Sequence, residues 1–284
     1  MSQLLSAIEL ASIMAFVTLA ALITFRMAGF PDLSVDGVFA LGAALFARCY
    51  VAGFGVFISV CLAVLSGIVA GLVTASISQR LKIHPLLASV LVLTVLHTIN
   101  LRILGKPNLP LIRLSEDLPE SPVVMFALFV VVSVVVLIAV CLFFLTELGC
   151  ALRTTGSSPL FLASVGRSPS LYRLALVSFA GGLVASAGCM LALRYRYADV
   201  YIGNGVIIIG IASLIIGEKM WRRRPFFNQM LAVPTGILVY EFSAAIALSI
   251  GLSPVDVKLA TGLVAIMLLA LGSGREDDIL ADIA

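Results

Sequence analysis

From Val123 to Leu145 the chain carries no charged residue, and Ser133 alone interrupts a continuous run of apolar side chains. A surface helix needs a polar face, and a β-strand is far shorter than this. As a helix, the run is long enough to cross the ~30 Å hydrocarbon core of a bilayer. Comparable runs recur over 7–25, 37–50, 56–79, 84–103, 171–193, 203–217, 226–250 and 254–272. Composition points the same way: 61% of the 284 residues are hydrophobic, 12% are charged, and the mean hydropathy is +1.17. A water-soluble domain could not cover that much apolar surface. The expected fold is therefore all-α and integral to the membrane, a single domain over 1–284 with about nine hydrophobic segments. The first run has no basic stretch before it, and Arg26 rather than a small-residue cleavage site follows it. It reads as a retained span.

Two runs, 37–50 and 203–217, are short for a full crossing. Each follows a stretch rich in Gly and Asp or Asn: MAGFPDLSVDG at 27–37 and RYADVYIGNG at 196–205. Asp36-Gly37-Val38 leads into FALGAAL, and Asn204-Gly205-Val206 into IIIGIAS, so both copies read [DN]-G-V-x-x-x-G. Chance between two Gly-rich membrane segments is one explanation, and an internal repeat is the other. As a repeat, paired short and Gly-interrupted segments in corresponding halves mark a transport pathway. The halves are then 1–145 and 171–284, separated by 146–170.

The Lys and Arg distribution sets the orientation. With 146–170 in the cytoplasm, that side also holds Arg26, Arg80, Lys82 and the Trp221-Arg222-Arg223-Arg224 cluster, while Arg48, Arg102 and Arg194 fall outside, able to snorkel to the interface. Nine spans place the N-terminus outside. The first short segment then enters from the cytoplasm and the second from outside, an inverted topology.

No G-x-x-x-x-G-K-[ST] occurs, so nothing in this chain is a P-loop for ATP, and no H-E-x-x-H or G-x-S-x-G is present. His84 and His97 are isolated, and the five Cys are scattered without a C-x-x-C, so no metal site or disulfide framework is expected. The net charge of +3 is too small to suggest nucleic acid. The expected partner environment is membrane lipid. Driven transport would need an ion gradient or another polypeptide. Few ionisable groups are available inside the apolar runs. Asp32 and Asp36 flank the first broken segment, and Glu241 lies within 226–250. Glu241 is either a carboxyl hydrogen-bonded to a neighbouring helix or a pathway residue. Asp36 suits an acceptor for backbone N–H groups freed where its helix starts, and Asn204 could do the same without charge. The pathway candidates are Asp32, Asp36, Gly37, Gly203, Asn204, Gly205 and Glu241. His97 suits a helix–helix hydrogen bond.

The middle of the chain, TELGCALRTTGSSPLFLASVGRSPSLY over 146–172, is polar where its surroundings are apolar. Glu147 to Thr155 reads as a helix entering the cytoplasm that Gly156 breaks. Ser157 or Ser158 can cap a second short helix with Pro159 in its first turn, ending at Gly166. Its Leu and Phe side chains have no cover within the segment and want a groove in a partner.

The pattern Gly149, Ala151, Leu152, Arg153, Gly156, Pro159, Ala163 and Gly166 resembles the cytoplasmic coupling loop of ATP-binding-cassette importer permeases of the branched-chain amino acid/ribose group. Phe30-Pro31-Asp32-Leu33 before Val35-Asp36-Gly37 resembles the subgroup associated with tryptophan/tyrosine-type uptake. IIGIASLIIGE at 208–218 resembles the family's second broken segment. Ser157-Ser158 stand where the family commonly has Asn, a departure that keeps helix capping. The resemblance implies a non-enzymatic permease subunit of the bacterial inner membrane. It implies that the eight coupling positions meet cytoplasmic ATPase subunits, which hold the ATP and Mg while this chain binds no cofactor. It also implies a second permease copy or a paralogue, and a periplasmic or lipid-anchored binding protein that delivers a small polar solute. An ion-coupled secondary transporter is the alternative. An integral membrane enzyme is disfavoured, because no catalytic spacing assembles.

Overall fold

The computed structural model describes residues 2–111, 121–221 and 226–251. The expected segment 254–272 and the Arg222-Arg223-Arg224 cluster lie outside the described residues. The described chain forms ten α-helices: α1 (Ser2–Ala21, extended by a π-helical turn over Leu22–Met27), α2 (Val35–Val51), α3 (Gly55–Leu81), α4 (Pro85–Leu104), α5 (Pro122–Leu145), α6 (Glu147–Ser157), α7 (Pro159–Ser164), α8 (Pro169–Tyr195), α9 (Val206–Met220) and α10 (Phe226–Ser249). Among the described residues, six stretches are long and apolar enough to cross a membrane: Leu4–Met27, Gly55–Leu81, Pro85–Leu104, Val123–Leu145, Pro169–Tyr195 and Phe226–Ser249. The runs expected at 37–50 and 203–217 are helical but short, 17 residues in α2 and 15 in α9. The second of them starts later than its apolar run. Gly203 and Asn204 belong to the turn before α9, and Gly205 caps that helix at φ +83°.

Burial divides the helices into two kinds. In α1 and α8, 72% and 78% of the most apolar window is buried inside the protein, against 22% to 28% in α3, α4, α5 and α10. The first pair forms the centre together with α2, and the others present apolar faces to lipid. Lipid tails are as apolar as leucine, so burial of hydrocarbon does not by itself hold such helices together. Close backbone approach does. Gly67 and Gly71 of α3 lie against the backbone of Gly181 and Val177 of α8, and Gly42 of α2 against Ala185, with no room for a side chain at any of the three.

The 27 residues of α8 span about 40 Å, enough to reach from one face of the layer to the other. Gln79, near the end of α3, donates to the Ser170 carbonyl at 2.9 Å. The α3–α4 turn and the α6–α7 segment therefore share one face. On the opposite face lies a feature that the apolar pattern does not announce. Strands β1 (Asn108–Pro110) and β2 (Tyr197–Asp199) pair antiparallel, Asn108 opposite Asp199, and tie the loop after α4 to the loop after α8. Three-residue strands in polar loops carry too little alternation to be read from sequence.

Candidate functional site: a junction of broken helices above a surface segment

The link 28–34 joins α1 to α2 without helix. Asp32 shapes it. Its Oδ1 accepts from the Ser34 amide at 2.8 Å and from the Ser34 hydroxyl at 2.6 Å, and Ser34 Oγ lies 3.4 Å from Thr74 Oγ1 on α3. This turn delivers Asp36 into the first turn of α2. There the structure departs from the expected role. Asp36 does accept freed backbone N–H groups, but those of the other short helix: Oδ2 takes the Gly205 N–H and Oδ1 the Ile207 N–H, both at 2.8 Å. The matching residue of the second copy, Asn204, is exposed and forms no corresponding cap. A carboxylate at a helix N-terminus satisfies orphan donors and opposes the helix dipole. Gly203 packs so tightly on the Asp36 carbonyl that a Cβ would overlap it. Gly37 is held from α4, where Asn100 Nδ2 donates to its carbonyl at 3.0 Å.

Thus α2 and α9 start side by side and leave in opposite directions. At 15 residues, α9 runs about 22 Å from the junction to its last turn. There Glu218, 7% exposed, meets the end of α1 through a two-pronged pair with Arg26, Nε to Oε1 at 2.8 Å and Nη2 to Oε2. In the other direction, α2 leads to Val51 and the start of α3, on the face of the β ladder. The junction accordingly lies inside the layer. It brings together Asp36, Gly37, Gly203, Asn204 and Gly205, with Asp32 one turn away.

Glu241 is not part of it. It lies on α10, which packs on α1 and α9, and its charged neighbour is Arg194 of α8. Arg194 does not snorkel outward as expected. Its Nε is 2.9 Å from Glu9 Oε2, and both side chains are largely covered. His97 makes a ring contact with Tyr201, centroids 5.4 Å apart.

The polar middle segment divides in two, and the break falls earlier and later than expected. The helix entering from the membrane, α5, ends at Thr146, whose extended backbone separates it from α6 and whose Oγ1 accepts the Gly149 N–H at 3.2 Å. Gly156 does not break α6; it lies within it, and the turn comes at Ser158 (φ −144°, ψ 65°). The glycine is needed for contact instead. A Cβ on Gly156 would stand 2.7 Å from the Met27 carbonyl oxygen and 2.8 Å from the Gly29 nitrogen. Gly149, Ala151, Leu152, Arg153 and Gly156 are all buried or half-buried in α6, and the Arg153 guanidinium sits 4.0 Å over the Phe226 ring at the start of α10. Pro159, Ala163 and Gly166 are exposed, in or just after α7. The six residues of α7 are anchored by Leu162, 3% exposed, while Leu160 and Phe161 stand 85% and 62% exposed. Nothing in the sequence singled out Arg173, or Glu218 as the partner of Arg26. Partners so far apart in the chain carry no local signal.

A family model described as branched-chain amino acid transport system / permease component matches residues 3–272. A tyrosine transport system permease protein of Clostridioides difficile is 33% identical over 275 residues, covering 96% of this chain and 92% of that protein. An uncharacterized protein of Rickettsia prowazekii is 31% identical over 290 residues, covering 98% of this chain and 100% of that protein. No solved structure matches. A match along nearly the whole chain, on a molecule built of membrane-length helices, makes this a multi-pass protein of the bacterial inner membrane and a transporter rather than an enzyme: it belongs to the family of branched-chain amino acid transport system permease components.

Proposed function

We propose that this chain is the membrane subunit of an ATP-driven importer that moves a small polar solute, an amino acid or related metabolite, into the cytoplasm. The observation that carries this reading is α7. A single-turn helix is fixed to the bundle through Leu162 and through α6, yet it holds Leu160 and Phe161 out from the protein. Such a pair suits a groove in a soluble partner. In this reading the partner is a cytoplasmic ATPase, which holds ATP and Mg. A binding protein delivers solute to the ladder face. A second copy or a paralogue completes the pathway, braced by the broken stretches 30–42 and 203–210. The two halves, with their short helices leaving one junction in opposite directions, form an inverted pair. The tyrosine transport named for the relative makes aromatic amino acids the first solutes to assay.

The test replaces both exposed side chains, Leu160→Glu with Phe161→Glu. These contacts are made only in the complex, so the variant should reach the membrane at the normal level. At least ten-fold less ATPase should copurify with it, and uptake should be lost. Uptake that persists in the variant and survives ATP depletion would overturn the reading and favour ion coupling.

A further inference from the structure

The two parts of the site are joined by a continuous set of short, stiff contacts, beginning where α6 touches the turn after α1. At Gly156 the atoms that leave no room for a Cβ are backbone: the Met27 carbonyl oxygen at 2.7 Å, the Gly29 nitrogen at 2.8 Å and the Ala28 carbonyl carbon at 3.1 Å. Gly29 answers from the other side. It holds φ +58°, and its own Cβ would lie 3.3 Å from the Gly156 Cα. Arg173, in the first turns of α8, clamps the same turn by donating from Nε to the Ala28 carbonyl at 3.1 Å. The clamp therefore reaches the Met27–Gly29 turn from both ends of the middle segment, through α6 before it and α8 after it.

From Gly29 the chain needs only seven residues to reach Asp36. Those residues are stiffened by the Asp32–Ser34 turn and by the Phe30 amide donating to the Thr24 carbonyl at 2.8 Å. Asp36 then holds the first turn of α9 through two backbone N–H groups. The last turn of α9 returns to the start of the path, because Glu218 pairs with Arg26, one residue before Met27. The first connection is backbone packing, and the later ones are hydrogen bonds, most of them to a charged side chain. Close-packed contacts of this kind shift between discrete arrangements rather than deforming gradually.

We propose that Gly29 and Arg173 are positioning residues of a mechanical relay: movement of α6 is passed through the Met27–Gly29 turn to Asp36 and the start of α9. This rests on the reading that 146–170 docks an ATPase. It adds the route by which docking reaches the middle of the membrane. By the same coupling, solute delivered at the ladder face would be felt at the ATPases, since linkage is reciprocal.

The experiment uses the complete complex, permease with its ATPase and binding protein, in liposomes, with tyrosine as the first probe. Gly29→Val places a branched side chain against Gly156. Arg173→Gln weakens the clamp without adding bulk. Gly105→Val is the control for backbone strain alone: Gly105 also has positive φ, +72°, but none of the described residues lies within 4 Å of a Cβ there. The expected result for Gly29→Val is ATPase copurification and basal ATP hydrolysis within two-fold of the parent, with uptake down at least ten-fold and stimulation by loaded binding protein lost. Arg173→Gln should show the same uncoupling at three- to ten-fold, and Gly105→Val should transport within two-fold. If Gly29→Val does not assemble in the membrane, Arg173→Gln decides alone. Normal uptake and stimulation in the variant that assembles would overturn the relay, as would loss of ATPase copurification, which would make this turn part of the docking surface. If the parent chain itself copurifies with no ATPase, it is the functional reading that fails.

Discussion

Asp36-Gly37-Val38 and Asn204-Gly205-Val206 share a pattern and stand at the starts of the two short helices, yet the structure uses them differently. The first copy is the holder. Its Asp36 reaches across to the second copy and accepts two N–H groups there. The second copy is the held one. Asn204 faces outward, Gly205 turns the chain with φ +83°, and Gly203 lets the backbone close on Asp36. A pair of identical caps, each closing its own helix, would leave two independent short helices. One charge shared across the pair makes them a single unit. Repetition in sequence thus marks corresponding places without assigning corresponding roles.

This asymmetry can be attacked at three points. The largest effect is expected from Gly203→Val, whose added side chain must push the Asp36 backbone aside. Overpacking at a tight backbone contact costs about 3 kcal/mol, to be read as a lowered unfolding midpoint of the purified protein in lipid or detergent. Asp36→Ala comes next. It leaves two donors at the start of α9 without their acceptor, a loss of about 2 kcal/mol for a half-buried carboxylate, and Asp36→Asn should recover roughly half of it. The smallest effect is expected from Asn204→Ala, within about 0.5 kcal/mol, as for an exposed side chain away from any cap or core contact. An Asn204→Ala loss equal to that of Asp36→Ala would restore symmetry to the pair and break the comparison.

Much of the architecture was legible. Membrane crossing, the short runs at 37–50 and 203–217, the polar middle and a short helix opening at Pro159 all follow from hydropathy, helix length and local turn chemistry. The errors were of one kind. Gly156 looked like a helix breaker because glycine weakens an isolated helix, whereas here the helix continues through it and its missing side chain admits the backbone of Met27–Gly29. Arg194 looked like an interfacial cation because it ends an apolar run, but Glu9 of α1 takes it inward. Asp36 looked like a cap for its own helix because sequence shows only neighbours along the chain.

What the sequence determines by itself is the solvent and the periods: which segments belong in lipid, which are too short to cross it, and where polar chemistry interrupts them. These are sums over neighbouring residues, so adjacent letters suffice. Only the tertiary structure decides that Arg26 meets Glu218, 192 positions away, that Asp36 meets Gly205, 169 positions away, and that α6 rests on the turn after α1. In a bilayer such pairings are set by close backbone approach and a few polar bonds rather than by hydrophobic burial. The apolar pattern that announces each helix therefore does not say which helix it will touch.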